Sequence, residues 1–348
     1  MVKRTVFEIG QEQVRPGEKK IVQLELPGLH SETSVAMPVH VIHGKKEGPV
    51  LFLSAAIHGD EINGVEVIRR LLSMNSLKRL RGTLLAVPVV NVFGFDGHSR
   101  YLPDRRDLNR SFPGRESGSL AGRLANIFMS EVVCLSDIGI DLHTAAIHRD
   151  NFPQIRADLK AGQLNDLARA FAPPVLLHSA APEGSLRHSA QKENVPVMVY
   201  EAGEALRFDE VSIRVAVRGI LNVMRELGML AKTRARKSKP PVLLRSSSWV
   251  RAPQSGILRA QVALGDMVSR GDVLGYISDP AGSKDVVVEA GSNGVIIGRS
   301  NIPLVYEGEA LFHIGRSQQT SLLEEHLDTL QDDEALTPPE LVEEPVIV

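Results

Sequence analysis

Apolar residues in the first 230 positions follow two patterns. One is a short, almost continuous apolar run, which occurs at Pro49–Ile57, Thr83–Val90, Ile138–Leu142 and Val195–Tyr200. Such runs are typical of strands buried on both faces of a sheet. The other pattern repeats at helical spacing and predicts helices over Ile62–Met74, Leu120–Cys134, Leu164–Phe171 and Asp209–Leu227. Alternating strands and helices predict a layered α/β domain with a mainly parallel or mixed central sheet.

The flanking regions differ from this central pattern. Ile21–Leu26 and Val35–Ile42 alternate apolar and polar residues, which predicts two strands of a hairpin-like entry. Residues 242–315 lack helical spacing and combine short Val- and Ile-rich runs with glycines at turn positions, so they are predicted to form a small all-β module. The basic segment Lys232–Lys239, followed by two prolines, is predicted to be a linker.

Composition and charge limit the choice of partners. The 348 residues carry a formal net charge of -2, which gives no reason to expect a nucleic acid or an anionic membrane as partner. The N-terminus lacks the apolar core of a secretory signal, and no apolar stretch is long enough to span a bilayer, so we expect a cytoplasmic protein. The single cysteine, Cys134, is predicted to be buried and excludes an intrachain disulfide.

Each of the four apolar runs ends in a polar residue that could carry chemistry. These residues are His58, Asn91, His143 and Glu201. Ligands of open α/β sheets bind beyond the carboxyl ends of the strands. If the four strands are parallel neighbours, the four side chains therefore meet at one edge of the sheet.

A metal site is one use of such an edge. In His58-Gly-Asp-Glu61 a His and a Glu stand three residues apart at a strand-to-helix turn, and both could reach one cation. His143 is the best third ligand, with His98 and His148 as alternatives. Three protein ligands with an open fourth position are typical of catalytic zinc. Without further context, His58-x-x-Glu61 could equally be an acidic helix start.

Four motifs together give the chain a family resemblance. They are His58-Gly-Asp-Glu61, Asp107-Leu-Asn109-Arg110, Asp141-Leu-His143 and Glu201-Ala-Gly203. In this order they resemble the succinylglutamate desuccinylase/aspartoacylase family, a branch of the zinc carboxypeptidase-like hydrolases. The resemblance covers roughly residues 35–230 and implies a three-layer α/β zinc-carboxypeptidase-like domain with a mixed central sheet.

The resemblance also implies a role for each motif residue. His58, Glu61 and His143 would bind one Zn²⁺ per chain, and Glu201 would act as general base and acid. Asn109 and Arg110 would clamp a substrate carboxylate, for which the planar guanidinium is suited. Arg100 would polarise the scissile carbonyl; Arg105 or Arg106 could take that role instead.

The C-terminal stretch has a resemblance of its own. Ala252-Pro-Gln-Ser-Gly256, residues 264–275 and Gly294-Val-Ile-Ile-Gly298 look like parts of a biotinyl/lipoyl-type barrel-sandwich hybrid. We therefore expect a zinc hydrolase domain over residues 1–239 and a barrel-sandwich-like β-module over 240–316. Residues 317–348 contain no Lys or Arg, are rich in Asp and Glu, and are expected to form an acidic, disordered tail.

The expected function is zinc-dependent hydrolysis of a linear amide in an N-acyl amino acid or a related small carboxylate substrate. One alternative is a zinc carboxypeptidase that acts on peptides or glutamyl tails. An alternative of another class is an inactive protein that binds N-acyl amino acids. The sequence leaves the acyl group, the amino acid and the oligomeric state open, including homo-oligomers.

Overall fold

The computed structural model describes residues 4–28, 33–160, 162–232, 240–282 and 284–316. The strands, numbered in chain order, are β1 (Phe7–Ile9), β2 (Glu12–Val14), β3 (Glu18–Leu26), β4 (Val35–His43), β5 (Lys46–Ala55), β6 (Arg81–Val87), β7 (Ile138–Ala145), β8 (Arg149–Ala157), β9 (Val175–His178), β10 (Val197–Glu204), β11 (Val242–Leu244), β12 (Ser246–Arg251), β13 (Gly256–Ala260), β14 (Met267–Val268), β15 (Val273–Ser278), β16 (Asp285–Glu289), β17 (Gly294–Ser300), β18 (Leu304–Val305) and β19 (Ala310–Arg316). The α-helices are α1 (Asn63–Ser73), α2 (Val92–Asp96), α3 (Leu120–Phe128), α4 (Gly162–Phe171), α5 (Leu186–Lys192) and α6 (Glu210–Glu226).

The centre of the molecule is a mixed sheet. Strands β10, β7, β5 and β6 lie side by side in this order and run parallel. On one side β4 pairs antiparallel with β6 and β3 pairs antiparallel with β4, and on the other side β8 pairs antiparallel with β10. Because the four parallel strands are the ones that carry the continuous apolar runs, the carboxyl ends of these runs meet at one edge of the sheet.

Helices cover both faces of this sheet. On one face α1, α4 and α6 pack against the strands through residues such as Ile68, Phe171 and Ile220. On the other face α3 and α5 pack through residues such as Leu124, Phe128 and Leu186. Side chains cap three of these helices, because Ser119, Ser185 and Asp209 each accept a hydrogen bond from a backbone N–H of the first turn. The result is the expected three-layer α/β architecture.

The C-terminal β-module continues the same sheet. Strand β17 pairs with β8, β19 pairs with β17, and β12 pairs with β19, all antiparallel. A second sheet of the module has the order β16-β15-β13-β18. Apolar side chains from both parts form one buried cluster that contains Phe152, Val175 and Leu177 with Val242, Leu244, Val295 and Ile297. The division at residue 239 stays a prediction, and the shared sheet implies that the two parts stabilise each other.

Most predicted elements agree with the structure to within a few residues. The helix expected over Leu120–Cys134 is α3 followed by one π-helical turn, Met129–Val133. The burial predicted for Cys134 is wrong: the thiol is exposed because the residue follows that last turn at the surface. The acidic tail and residues 233–239 of the linker lie outside the described residues. Within the described part of the chain, no helix is long and apolar enough to span a membrane.

The shared cluster predicts a stability effect that crosses the proposed boundary. Phe152 on β8 is 8% exposed and packs against module residues. We expect Phe152→Ala to lower the free energy of unfolding by about 3–5 kcal/mol, because it leaves a cavity between the two parts. Urea unfolding of the whole chain should still show one transition. Val287→Ala, at an exposed module position, is the control and should have little effect. Two separate transitions, with only one shifted, would contradict the account.

Candidate metal centre and its cavity

Three of the four polar residues expected at the strand ends line one cavity. His58 follows β5, while His143 and Glu201 lie near the carboxyl ends of β7 and β10, where they are direct cross-strand partners. Asn91 does not line this cavity. Its side chain instead accepts a hydrogen bond from the N–H of Gly94 and caps α2.

His58, Glu61 and His143 form the core of the site. Their potential ligand atoms all lie within 4.8 Å of one another, and all three residues are buried. Nδ1 of His58 lies 2.6 Å from Oε1 of Glu61, and Nδ1 of His143 lies 2.7 Å from Oε2 of the same carboxylate. The two Nδ1 atoms and the carboxylate therefore face a common point.

The opposite nitrogen of each imidazole faces another carboxylate. Nε2 of His58 lies 3.1 Å from Oδ1 of Asp107, and Nε2 of His143 lies 2.7 Å from Oδ2 of Asp141. Ser54 holds Asp141 by donating a hydrogen bond of 2.7 Å to Oδ1. A carboxylate behind a ligating His is the usual device that fixes its tautomer and orientation. It leaves Nδ1 of both rings free to bind a metal.

The charges of this His–carboxylate cluster do not balance by themselves. Three carboxylates, Glu61, Asp107 and Asp141, stand against one guanidinium, that of Arg100, which bonds to Glu61 and Asp107. With neutral imidazoles two negative charges remain in a buried place, where uncompensated charge is costly. One divalent cation would neutralise them, so the donor set fits a bound metal in charge as well as in geometry.

The pKa values of His58, His143 and Glu61 are shifted in the directions that favour positive charge on the imidazoles and negative charge on the carboxylate. Burial would lower the pKa of His143, but the charges of Asp141 and Glu61 outweigh it and raise that pKa well above its ordinary value. The pKa of His58 is raised in the same way, with Glu61 and Asp107 overcoming the effect of burial. Burial would raise the pKa of Glu61, but the two imidazoles hold it well below its usual range.

The turn between His58 and Glu61 is fixed by close packing. A Cβ on Gly59 would lie 2.0 Å from the carbonyl carbon of Gly94, so any side chain there would push α2 away. Glycine is therefore required for close approach of two backbone segments. The N–H of Glu61 donates back to the carbonyl of His58 at 3.1 Å, which closes the turn.

Glu201 is held beside this cluster without touching it. Its Oε2 accepts a hydrogen bond of 2.8 Å from Nδ2 of Asn151, and its Oε1 lies 3.1 Å from a guanidinium nitrogen of Arg156. Glu204 does not line the cavity; its carboxylate accepts bonds from His148 N and Asn301 Nδ2. Of the carboxylates of Glu201 and Glu204, only that of Glu201 therefore belongs to the cavity wall.

The arginines that the sequence analysis proposed for the site differ in whether they line the cavity. Arg100 lines the cavity, whereas Arg105 and Arg106 do not. Arg110 also lines it and, apart from a bond to the carbonyl of Asn109, is exposed. Asn109 lies beside it, but its Oδ1 already accepts the N–H of Leu186 at the start of α5. Asn109 therefore also positions this part of the wall.

Several cavity residues were not found from the sequence. They are Arg149, Asn151, Arg156 and Arg187, together with Trp249 and His313 from the β-module. Arg187 is only 9% exposed, and its Nη1 has no hydrogen-bonding partner among the described residues. A signal was available for Trp249, which is the only tryptophan of the chain and stands in a polar Ser-rich segment. Nothing in the sequence marked Arg187 or His313.

One family model and several curated proteins match this sequence. Residues 47–227, more than half of the chain, match the family model of the succinylglutamate desuccinylase/aspartoacylase catalytic domain. The N-alpha-acetyl-L-2,4-diaminobutyric acid deacetylase of Halomonas elongata is 27% identical over 292 residues, covering 79% of this chain and 85% of that protein. The succinylglutamate desuccinylase of Pseudomonas aeruginosa is 36% identical over 146 residues, 37% of this chain and 41% of that protein.

Solved structures with this fold cover both parts of the chain. The succinylglutamate desuccinylase/aspartoacylase of Rhodobacter sphaeroides aligns with a TM-score of 0.76 and 23% identity over 86% of this chain and 95% of that chain. The product-bound ectoine utilization protein of Ruegeria pomeroyi aligns with a TM-score of 0.78 and 24% identity over 85% and 95%. At these identities the alignments establish the fold.

The carboxylates behind the imidazoles predict a measurable effect on metal retention. Asp141→Asn keeps the size of the side chain but removes the charge that orients His143. We expect metal affinity, measured by competition with a chromogenic chelator, to fall about 10- to 100-fold. Asp166→Asn, on the exposed side of α4, is the matched control. Unchanged affinity in the Asp141 variant would mean that His143 does not bind the metal.

Proposed function

The chain belongs to the succinylglutamate desuccinylase/aspartoacylase family, and we propose on that basis that it is a zinc-dependent hydrolase that removes the acyl group from an N-acyl amino acid. Both curated relatives are named for removing an acyl group, acetyl in one and succinyl in the other. The observation that carries the proposal is the His–carboxylate cluster with Glu201 beside it in one cavity.

His58, Glu61 and His143 are the proposed ligands of the zinc ion. Two imidazoles and one carboxylate are a donor set found in catalytic zinc sites, which keep one position for water or substrate. Zinc bound there would polarise the amide carbonyl and activate a water molecule as nucleophile. Asp107 and Asp141 would keep the Nδ1 lone pairs of the two imidazoles directed at the metal.

Glu201 is the proposed general base and acid. It would accept a proton from the attacking water at a carboxylate oxygen and return it to the amide nitrogen as the C–N bond breaks. Asn151 and Arg156 fix the orientation of this carboxylate. The guanidinium of Arg100, next to Glu61, would stabilise negative charge that develops on the carbonyl oxygen.

The remaining charges of the cavity favour an anionic substrate. Arg110, Arg149 and Arg187 line it, and none of them forms an ion pair with a described residue. Arg187 adds a guanidinium to this wall, and its charge would attract a substrate carboxylate. Arg110 and Asn109 also line the cavity and would hold a substrate carboxylate there. We therefore propose N-acyl amino acids with at least two carboxylates as the preferred substrates.

The size of the cavity favours a small substrate over a peptide. Its volume is about 320 Å³, at the lower end of the usual range for small-molecule sites. Trp249 and His313 of the β-module form part of its wall, which limits how far a substrate can extend. The carboxypeptidase alternative therefore has less support than the deacylase.

A hydrolysis screen with zinc-loaded protein tests the proposal. We expect kcat/KM to be highest for N-acyl amino acids that carry at least two carboxylates, such as N-acetyl-L-aspartate with two and N-succinyl-L-glutamate with three. Nα-acetyl-L-2,4-diaminobutyrate, which has a cationic side chain, and short peptides with a free C-terminus should have a lower kcat/KM. Higher activity on peptides would favour the carboxypeptidase. Binding without turnover of any of these compounds would favour the inactive binding protein.

The role of Glu201 predicts a loss in the chemical step alone. Glu201→Gln keeps the shape of the side chain but cannot accept a proton, so kcat should fall about 10²- to 10⁴-fold. Zinc content and KM should stay near those of the parent, because the three ligands and the arginines are unchanged. Glu204→Gln is the matched control and should behave nearly as the parent. A dead Glu204 variant, or loss of zinc in the Glu201 variant, would overturn the assignment.

A further inference from the structure

The β-module places an aromatic pair in the wall of the catalytic cavity. Trp249 on β12 and His313 on β19 are direct cross-strand partners. Their rings are stacked, with centroids 4.5 Å apart and planes inclined by 8°. Both residues line the cavity that also contains the His–carboxylate cluster and Glu201. The module therefore contributes side chains to the cavity as well as stability to the sheet.

His313 is a polar residue without a partner in this wall. It is 8% exposed, and neither ring nitrogen forms a hydrogen bond with a described residue. Burial and the positive charge of Arg156 lower the pKa of His313 to about 3, so the ring is neutral near pH 7. A neutral imidazole offers one N–H donor and one acceptor nitrogen.

The burial of the two nitrogens decides where the proton lies. Nδ1 is sealed from solvent and has no partner, whereas Nε2 is not sealed. An unpaired buried N–H is rarer than an unpaired buried acceptor, so the proton belongs on Nε2. His313 then presents an N–H donor towards accessible space in the cavity wall, and the stacking with Trp249 keeps the plane of the imidazole nearly parallel to the indole.

A cation lies on the same wall. The guanidinium carbon of Arg149 is 5.4 Å from the centroid of the Trp249 ring, and the side chain has no ion pair among the described residues. An aromatic surface, a neutral N–H donor and an unpaired guanidinium together suit a carboxylate at the end of a short apolar chain.

We propose that Trp249, His313 and Arg149 form a second carboxylate subsite, which we call the module subsite. It binds a carboxylate of the substrate that lies away from the scissile amide, and His313 donates a hydrogen bond to it from Nε2. The proposal deepens the proposed function and rests on it for the identity of the substrate. The carboxylate can belong to the acyl group or to the side chain of the amino acid.

Sheet pairing fixes this subsite relative to the catalytic residues. Gly298 on β17 pairs with Asn151 on β8 and with His313 on β19. A Cβ on Gly298 would lie 2.8 Å from Oδ1 of Asn151 and 3.3 Å from Cβ of His313. Because Gly298 has no side chain, β17 can pass between Asn151, which holds Glu201, and His313, which donates to the substrate carboxylate in this proposal.

The single tryptophan gives a direct measurement of binding. In the zinc-loaded full-length Glu201→Gln variant, in which turnover should be slow compared with binding, N-succinyl-L-glutamate should change the emission of Trp249 in a saturable way. His313→Phe in this background keeps the ring stack but removes the donor. We expect its dissociation constant to rise about 10- to 100-fold, the range for a hydrogen bond to a charged group. His313→Gln should restore part of the affinity.

Two probes identify the carboxylate. N-butyryl-L-glutamate lacks the acyl carboxylate, and N-succinyl-L-norvaline lacks the side-chain carboxylate. The effect of His313→Phe should vanish with the probe that lacks the group bound in the module subsite. With Glu201 intact, His313→Phe should raise KM and leave kcat nearly unchanged. Tyr276→Phe, an aromatic residue of the module beneath Arg259 and outside the cavity, is the control and should bind as the background does.

The outcomes separate this inference from the proposed function. Unchanged Trp249 emission, or a loss in His313→Phe that is absent or equal for all three compounds, would overturn the module subsite even if hydrolysis occurs. If no N-acyl amino acid is hydrolysed but binding still depends on His313 and on one carboxylate, the proposed function fails and the subsite stands. Circular dichroism of each variant verifies that the fold is retained.

Discussion

The negative charge buried at the edge of the central sheet is the constraint on which the site depends. Glu61, Asp107 and Asp141 outnumber the one guanidinium that reaches them, and every carboxylate has fixed partners. The cluster needs two further positive charges, which a divalent cation supplies at one point between both Nδ1 atoms. The same charges set the orientation of the imidazoles, so metal binding and ligand geometry have one physical cause.

The rest of the fold serves to bring that charge together and to enclose it. Four neighbouring parallel strands place His58, His143 and Glu201 at one edge, and the register between β7 and β10 sets Glu201 next to His143. The β-module then extends the sheet past β8 and closes one side of the cavity with Trp249 and His313. The module and the catalytic domain share a sheet and an apolar cluster. The packing that stabilises the two parts therefore also holds the module side of the cavity wall in place.

The sequence predicted the parts of the site that depend on strand ends and missed those that depend on packing between distant elements. Continuous apolar runs located the parallel strands, and the polar residues that follow them gave three residues that meet in the structure. Arg187 comes from a short helix with no distinctive pattern, and His313 comes from a module whose position the sequence could not specify. Burial of Cys134 was predicted from its apolar neighbours, yet the last turn of its helix carries it to the surface. Contacts between elements distant in sequence decide such cases, and local periodicity does not encode them.

The most direct test of the metal centre is anomalous scattering at the zinc edge from crystals of the zinc-loaded protein. We expect one peak in the cavity, about 2.0–2.1 Å from Nδ1 of His58 and of His143, with Glu61 as the third ligand. Asp107 and Asp141 should remain bonded to the Nε2 atoms. A peak bound through Nε2, or crystals of active protein with no zinc between these three residues, would contradict this expectation.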